Sequence, residues 1–352
     1  MSANDYLITR PLRSNDATKL HELMTHPAVA EMMLKTPSME LSEMVEWVEK
    51  QQPGRHRLVV EKDGTVIGMG HITQAQNPRC AHSANLVMMI HPDYWGQGAG
   101  TAVLTALLNI ADNWLDLKRV ELGVYTHNTA AIHLYQKFGF ENEGMRRMVA
   151  FGAGKWQDDH LMARLRNTDA LQPRTSPPPL RPPRKDVQNT AVTIRPFKAE
   201  DLTDIHRLFT HPAVGRTTMQ LPSTEFGRIK ERIEPRRPGL HRLMALVDNR
   251  VAGNITVWQR DNPRIKHIGY LGMMVDPRYW GMGIGSRLME AILDIADNWL
   301  NLKRVELEVN TDNPIAVHLY EKFGFVIEGT KRFHVYGDGR WSDSHFMARI
   351  RS

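Results

Sequence analysis

The stretch His91-Pro92-Asp93-Tyr94-Trp95-Gly96-Gln97-Gly98-Ala99-Gly100-Thr101 decides how this chain folds. It follows an apolar run from Leu86 to Ile90 and precedes Val103, Leu107, Ile110, Trp114 and Leu117. Those five fall at i, i+4, i+7, i+11 and i+14, one face of a helix. The local reading is therefore strand, glycine loop, helix. Alternate glycines let the backbone adopt positive φ and approach a ligand closely. The helix start that follows offers unpaired N–H groups and the positive end of a dipole, which together suit a pyrophosphate. A tight strand-to-helix turn with no ligand is the plainer alternative. No Gly-Lys-Ser/Thr follows, so this is not a Walker loop. Thr101 stands where the dinucleotide fingerprint needs its third glycine.

Moving outward, the whole region recurs. Met88-Met89-Ile90 and the loop reappear as Met273-Met274-Val275-Asp276-Pro277-Arg278-Tyr279-Trp280-Gly281-Met282-Gly283-Ile284-Gly285-Ser286. His26-Pro27-Ala28-Val29 returns as His211-Pro212-Ala213-Val214, and Lys137-Phe138-Gly139-Phe140 as Lys322-Phe323-Gly324-Phe325. Each pair is 185 positions apart, and the register needs no gap from Ile8 onward. The period is far longer than that of a solenoid repeat. Two domains are expected, at 1–168 and 192–352, each long enough for its own core. Between them, 169–191 holds six prolines from Pro173 to Pro183, which reads as a semi-extended linker.

The chain has 352 residues, 41% hydrophobic and 24% charged, values of an ordinary globular protein. No apolar run is long enough to span a bilayer, and the first residues lack the pattern of a signal peptide. Cys80 is the single cysteine, so neither an internal disulfide nor a CxxC metal site is available. These features give a cytoplasmic expectation. The net charge of +6 divides as −2 over 1–170, +3 over 171–192 and +5 over 193–352. A basic half attracts polyanions. No basic run interleaved with aromatics marks a nucleic-acid surface, so nucleic acid is not an expected partner. Within a copy, Leu58-Val59-Val60 and Thr65-Val66-Ile67-Gly68 flank Lys62-Asp63-Gly64 as a hairpin. Val120 to Val124 alternates as a strand, and Met148 to Arg164 reads as a terminal hairpin turning near Gly152-Ala153-Gly154. Strands and helices intermix with hairpins at both ends, which makes the class α+β, or mixed α/β.

A second motif lies downstream of each loop. Asn128 stands as an N-cap before Thr129-Ala130-Ala131-Ile132-His133-Leu134-Tyr135, followed by Gln136-Lys137-Phe138-Gly139-Phe140. Its counterpart is Asn313-Pro314-Ile315-Ala316-Val317-His318-Leu319-Tyr320-Glu321-Lys322-Phe323-Gly324-Phe325. A glycine loop with Asn-x-x-Ala-x-x-Leu-Tyr-x-Lys-x-Gly-Phe about thirty residues on resembles the GCN5-related N-acetyltransferases (GNAT). Glu143-Gly144, Gly154-Lys155-Trp156-Gln157-Asp158 and Met162-Ala163-Arg164 look like the bacterial branch acting on small amines. The resemblance covers both copies nearly end to end. It implies two splayed, mixed, mainly antiparallel sheets flanked by helices, and acetyl-CoA as cosubstrate with no metal. By that resemblance the backbones of Met88, Met89 and Ile90, and of Met273, Met274 and Val275, pair with the pantetheine arm. Amides of Trp95, Gly96, Gln97, Gly98, Ala99 and Gly100, and of Trp280, Gly281, Met282, Gly283, Ile284 and Gly285, hold the pyrophosphate. Asn128 and Asn313 hydrogen-bond the pantetheine, and Tyr135 and Tyr320 sit near the thioester sulfur. Tryptophan opens both loops where the family usually has Gln or Arg.

The residue types suit direct attack of an amine on a thioester, which needs no Ser or Cys nucleophile. Holding the two reactants together supplies much of the rate. A phenol of pKa ~10 is a reasonable proton donor to a leaving thiolate. No general base stands out: Glu121 and Glu306 alternate with core residues, and His82 and His267 precede the loop strand. His21-Glu22-Leu23-Met24-Thr25-His26 spaces its histidines by five, off one helical face, so it is not read as a zinc motif. Met32, Met33, Met39 and Met44 read as core filler, with an adaptable acceptor pocket as the alternative. The expectation is a tandem N-acetyltransferase acting on a primary amine of a small molecule such as an amino acid, with two competent sites. The alternatives are one catalytic copy beside a CoA-binding regulatory module, or a ribosomal-protein or peptide acetyltransferase. By analogy with family members that pair through their last strands, the two copies are expected to mimic a dimer.

Overall fold

Asp63 and Gly64 take φ of 50° and 74°, and Asp248 and Asn249 take 49° and 59°. Two successive positive φ values are what a two-residue hairpin turn between twisted strands requires. These turns join β2 (Arg55–Lys62) to β3 (Thr65–Gln74), and β9 (Leu240–Val247) to β10 (Arg250–Gln259). A computed structural model describes residues 7–166, 191–235 and 237–351. Most of the proline segment expected at 169–191 therefore lies outside the described residues. The chain divides into two compact units, Met1–Gln172 and Pro173–Ser352.

In the first unit, β1 (Leu7–Pro11) leads into α1 (Ala17–Thr25), α2 (Pro27–Met32) and α3 (Leu41–Glu49). After the β2–β3 hairpin come β4 (Ser83–Ile90), α4 (Ala99–Asn113), β5 (Arg119–Tyr125), α5 (Thr129–Lys137), β6 (Glu141–Gly152) and β7 (Lys155–Leu165). The strands lie in the order β1-β2-β3-β4-β5-β7-β6. All pairings are antiparallel except β4 with β5. That parallel pairing covers only Ser83, Ala84 and Asn85 against Arg119, Val120 and Glu121. Beyond Asn85, β4 continues beside β3 to Ile90, while β5 continues beside β7. The sheet thus splays open along residues 86–90. Helices cover both faces. Leu58, Val60, Ile67, Ile72 and Leu86 pack on α4 and α5, while Val59, Met69 and Met89 pack on α1 and α3.

The second unit repeats this with β8 (Val192–Pro196), α6 (Leu202–Thr210), α7 (Pro212–Thr217), α8 (Phe226–Ile233), β9, β10, β11 (Ile268–Val275), α9 (Ile284–Asp294), β12 (Arg304–Asn310), α10 (Pro314–Lys322), β13 (Val326–Gly337) and β14 (Arg340–Ile350). Its order is β8-β9-β10-β11-β12-β14-β13, and β11 meets β12 only from Ile268 to Tyr270. A π turn over Ile295–Trp299 extends α9. Among the described residues no helix is long and apolar enough to cross a membrane. The mixed α/β class and the splayed, mainly antiparallel sheet are as expected.

Two local readings need correction. The terminal hairpin starts at Glu141, not Met148. Its first half is masked in sequence by charged residues and by a bulge, where Met148 takes φ 52° and its N–H donates to Asp158 Oδ1 at 2.8 Å. Trp114 is not on the buried face of α4: it is 79% exposed, as is Trp299. The helix ends at Asn113, and Leu117 is buried from the following turn, whose N–H donates to Ala111 O at 2.9 Å. The structure also contains an element that the sequence reading missed. Arg119 is wholly buried and grips Glu143 through two hydrogen bonds of 2.9 and 2.6 Å, with Glu121 at 2.8 Å. Arg304, Glu328 and Glu306 repeat it. Glu121 and Glu306 are therefore ion-pair partners that anchor β5 and β12.

Candidate active site

The glycine loop folds by division of labour. Gly96 and Gly98 take φ of 74° and 87°, which an L side chain rarely adopts. Gly100 has a different reason. A Cβ there would lie 3.1 Å from Leu134 Cδ2 and 3.4 Å from Met88 Cε, so its glycine lets α4 approach both α5 and β4. Gly285 does the same against Leu319, at 2.9 Å. The first α-helical bond of α4 is Ala102 N–H to Gly98 O at 2.9 Å, and that of α9 is Arg287 N–H to Gly283 O at 3.1 Å. The amides of Ala99, Gly100 and Thr101 precede it and have no intrahelical acceptor. They lie at the end of the splayed edge of β4. Both loop tryptophans fold back onto that edge. Trp95 Nε1 donates to Ile90 O at 2.8 Å, and Trp280 Nε1 to Val275 O at 2.7 Å. The indole pins the loop to the strand, so this departure from the usual Gln or Arg has a structural task.

Asn128 and Asn313 cap their helices: Oδ1 accepts from Ala131 N–H at 3.2 Å and from Ala316 N–H at 3.3 Å. On the inner face of the same helices, Tyr135 and Tyr320 are each 7% exposed and lie against Phe140 and Phe325. Burial raises both phenols: Tyr135 well above its ordinary value and Tyr320 to about 12. Both are therefore neutral, proton-bearing groups at physiological pH.

In the second unit these parts open on one cavity of about 1110 Å³. Its wall includes Met273, Met274 and Val275 of the splayed strand, the loop residues 279–281 and 283–286, Asn313 and Tyr320, while Met282 packs on the core. It continues past Glu308, 2.8 Å from Lys331, and onto the sheet face of β9 and β10. The first unit arranges the charge beside β5 differently. Gly123 stands where Glu308 is, and the carboxylate comes instead from Asp159, 2.5 Å from Arg146. A Cβ on Gly123 would fall 2.6 Å from Asp159 Oδ2 and 2.7 Å from Arg146 Nη2.

Two stretches of sequence match family descriptions. Residues 7–141 match the acetyltransferase (GNAT) domain and residues 194–325 the acetyltransferase (GNAT) family. The chain is 34% identical over 160 residues to the L-amino acid N-acetyltransferase AaaT of Escherichia coli (strain K12), covering 46% of this chain and 98% of that relative. The chain belongs to the GNAT family. It is a tandem GNAT acetyltransferase. It is also similar to the spermidine N(1)-acetyltransferase of Escherichia coli (strain K12), at 24% identity over 159 residues, 44% of this chain and 83% of that one. Among solved structures it resembles the spermidine N-acetyltransferase from Vibrio cholerae in complex with CoA and spermine, with 26% identity, a TM-score of 0.42 and coverage of 46% and 96%.

Each GNAT domain also carries a polar and aromatic group on its sheet that the sequence reading passed over. On the α1–α3 side of the first sheet, Arg55 and Arg57 stand 5.7 and 5.2 Å from the Trp47 ring, with His71 6.0 Å from that ring. Burial, with Arg55 and Arg57 nearby, pulls His71 down to about 4. The second GNAT domain places Arg242, Asn254, Thr256 and Trp258 on the corresponding face. The two-residue spacing of Arg55 and Arg57, and of Asn254, Thr256 and Trp258, marks one face of a strand but does not show what that face lines. Of the methionines considered for an acceptor pocket, Met39 and Met44 are 5% and 2% exposed and belong to the core beneath α1–α3. In the HExxxH stretch, His21 bonds to Met39 O at 2.8 Å and His26 caps α2.

Proposed function

We propose that each domain is an acetyl-CoA-dependent N-acetyltransferase acting on the primary amine of a small molecule such as an amino acid, with Tyr135 and Tyr320 as general acids. The observation that carries this reading is the cavity of the second domain. It joins a splayed strand edge, a helix start with unpaired amides and a buried, protonated phenol in one continuous wall. The fit to acetyl-CoA rests on this chemistry. The edge of Met273, Met274 and Val275 suits an amide-bearing pantetheine arm, as does that of Met88, Met89 and Ile90. The amides at the starts of α9 and α4 suit a pyrophosphate. The similarity to an L-amino acid N-acetyltransferase supports a small amine as acceptor.

Acetyl-CoA supplies an activated acetyl thioester. The protein's part is to hold an unprotonated amine against it, which converts a bimolecular encounter into an oriented one. Strand amides freed by the splay can stabilise the developing oxyanion. The phenol then delivers its proton to the departing thiolate sulfur, and the proton shed by the acetylated nitrogen restores the phenol through solvent. Asn128 and Asn313 hold the tyrosine helices in place as N-caps, and their remaining amide protons suit the pantetheine.

Calorimetric titration of acetyl-CoA into the full chain tests this directly. Two sites per chain are expected, and no binding would overturn the reading. Tyr135→Phe and Tyr320→Phe should each leave substantial activity, with loss only in the double variant. Loss on one substitution alone would mean a single catalytic copy beside a binding module.

A further inference from the structure

On one face of the second sheet, Leu240 pairs with Trp258, Arg242 with Thr256, and Met244 with Asn254. Directly opposed residues share a face. This face forms the floor of the cavity beneath α6–α8, away from α9. Asn254 is 3% exposed, and its side-chain oxygen has no hydrogen-bond partner. Its neighbour across the next strand pair is Met274, on the splayed edge. The first domain fills the same position with Met69, which is buried in the core beneath α1–α3. A buried amide left unsatisfied where the sister domain carries a thioether costs stability. A donor on a bound molecule would satisfy it.

Arginines supply the complementary half. Arg242 spends Nη1 on Ile233 O at 2.8 Å, while its Nε is buried and unpartnered. Nε and Nη2 form the guanidinium edge that receives a carboxylate in a two-point contact. Arg232 and Arg237 line the rim of the same cavity. Among the described residues, no carboxylate pairs with any of the three, and Arg232 donates to the neutral Gln220 at 3.1 Å. Arg216, Arg340 and Glu308 on this wall are paired, with Asp338, Asp312 and Lys331. Lys322, on the tyrosine helix, also lines the wall, so the three arginines form a separate group of positive charge on the sheet floor and its rim. Burial and the neighbouring Arg232 and Arg237 lower the pKa of Arg242, the direction expected of a cation that lacks a counter-ion.

We propose that Arg242, with Arg232 and Arg237 at the rim, binds the carboxylate of the acceptor, and that Asn254 Oδ1 accepts a hydrogen bond from the acceptor's amino group. The second domain thus acetylates amines that carry a carboxylate and disfavours polycationic amines. This deepens the acetyltransferase reading and rests on it. The first domain keeps Arg57 at the position of Arg242, with Nη1 likewise bonded to a helix-end carbonyl, Trp47 O at 2.9 Å. It lacks the buried amide.

The test uses the full chain. L-leucine, L-glutamate, leucinamide, 3-methylbutylamine and spermidine are each titrated in the presence of CoA, and turnover is followed by thiol release from acetyl-CoA. The acids should exceed leucinamide and 3-methylbutylamine in kcat/KM by about ten- to a hundredfold. Arg242→Lys and the rim variant Arg232→Gln should shrink that ratio while acetyl-CoA affinity is retained. Asn254→Met, which copies the first domain, should raise Tm while weakening the acids, a combination that a purely structural asparagine would not give. Equal use of acids and their amides overturns the proposal, as does preference for spermidine, failure of both acids to bind, or an unchanged ratio in the arginine variants. Failure of acetyl-CoA itself to bind is a separate result, which removes the acetyltransferase reading and the proposal with it.

Discussion

At the scale of single residues, Tyr320 and Gly123 make the most direct predictions. Tyr320→Phe should lower the second domain's kcat by about 10²–10⁴ if the phenol is the proton donor, with little change in acetyl-CoA affinity; stopped-flow single turnover would read the chemical step. Gly123→Ala should destabilise the first domain by about 1–3 kcal/mol, measured by urea unfolding. Its Cβ would strike the Arg146–Asp159 pair at 2.6–2.7 Å. The equivalent exchange at Glu308 has no such clash, because that domain moves its carboxylate to the other strand. The tyrosines, asparagines and loop glycines were legible because each motif is continuous in sequence. Gly100 was legible as a glycine, but its reason was not: the contact with Leu134 and Met88 exists only once two helices and a strand have met. Arg242 and Asn254 gave no signal of a ligand site. A charge without a counter-ion is a property of an assembled surface, and a string of letters does not show which arginine lacks its carboxylate.

At the scale of elements, the helix after each strand splay depends on its cap. Asn128→Ala should cost about 1 kcal/mol through loss of the bond to Ala131 N–H, whereas Asn128→Asp should keep it. Thermal unfolding of both, set beside their acetyl-CoA affinities, separates the cap from a role toward pantetheine. The anchoring of β5 predicts a larger effect. Arg119→Leu strands Glu143, which is 1% exposed, and should destabilise the first domain by about 3–5 kcal/mol. The strands and α5 were readable from alternation and from the cap. The end of α4 was not, because Trp114 continues the apolar spacing after the helix has stopped and is placed in solvent. The long terminal hairpin was half hidden because its bulges break the two-residue period.

At the scale of the whole molecule, the acid response should be dominated by groups whose titration differs between folded and unfolded chains. His71 is held at about 4, against 6.5 when unfolded. Between those values the unfolded chain binds a proton that the folded one refuses, so stability rises with pH. The first domain should hold its full stability above about pH 6.5 and lose it as pH falls toward 4, and His71→Gln should flatten that slope in a series of thermal melts. At the alkaline end the sign reverses for Tyr320. Stability is intact below about pH 10 and falls as pH rises toward 12, because only the unfolded phenol ionises in that window. The duplication gives the molecule two glycine loops, each with its own indole bonded to the preceding strand. The indole that pins each glycine loop has a consequence for observing them. Each is a fluorophore fixed to the segment proposed to take the cosubstrate, with Trp95 half open to water and hydrogen-bonded to the last residue of β4. A chain carrying Trp95→Phe would lose the optical report of the first loop and keep that of the second, and one carrying Trp280→Phe the reverse, so that the difference from the parent chain times the filling of each site in a single intact polypeptide.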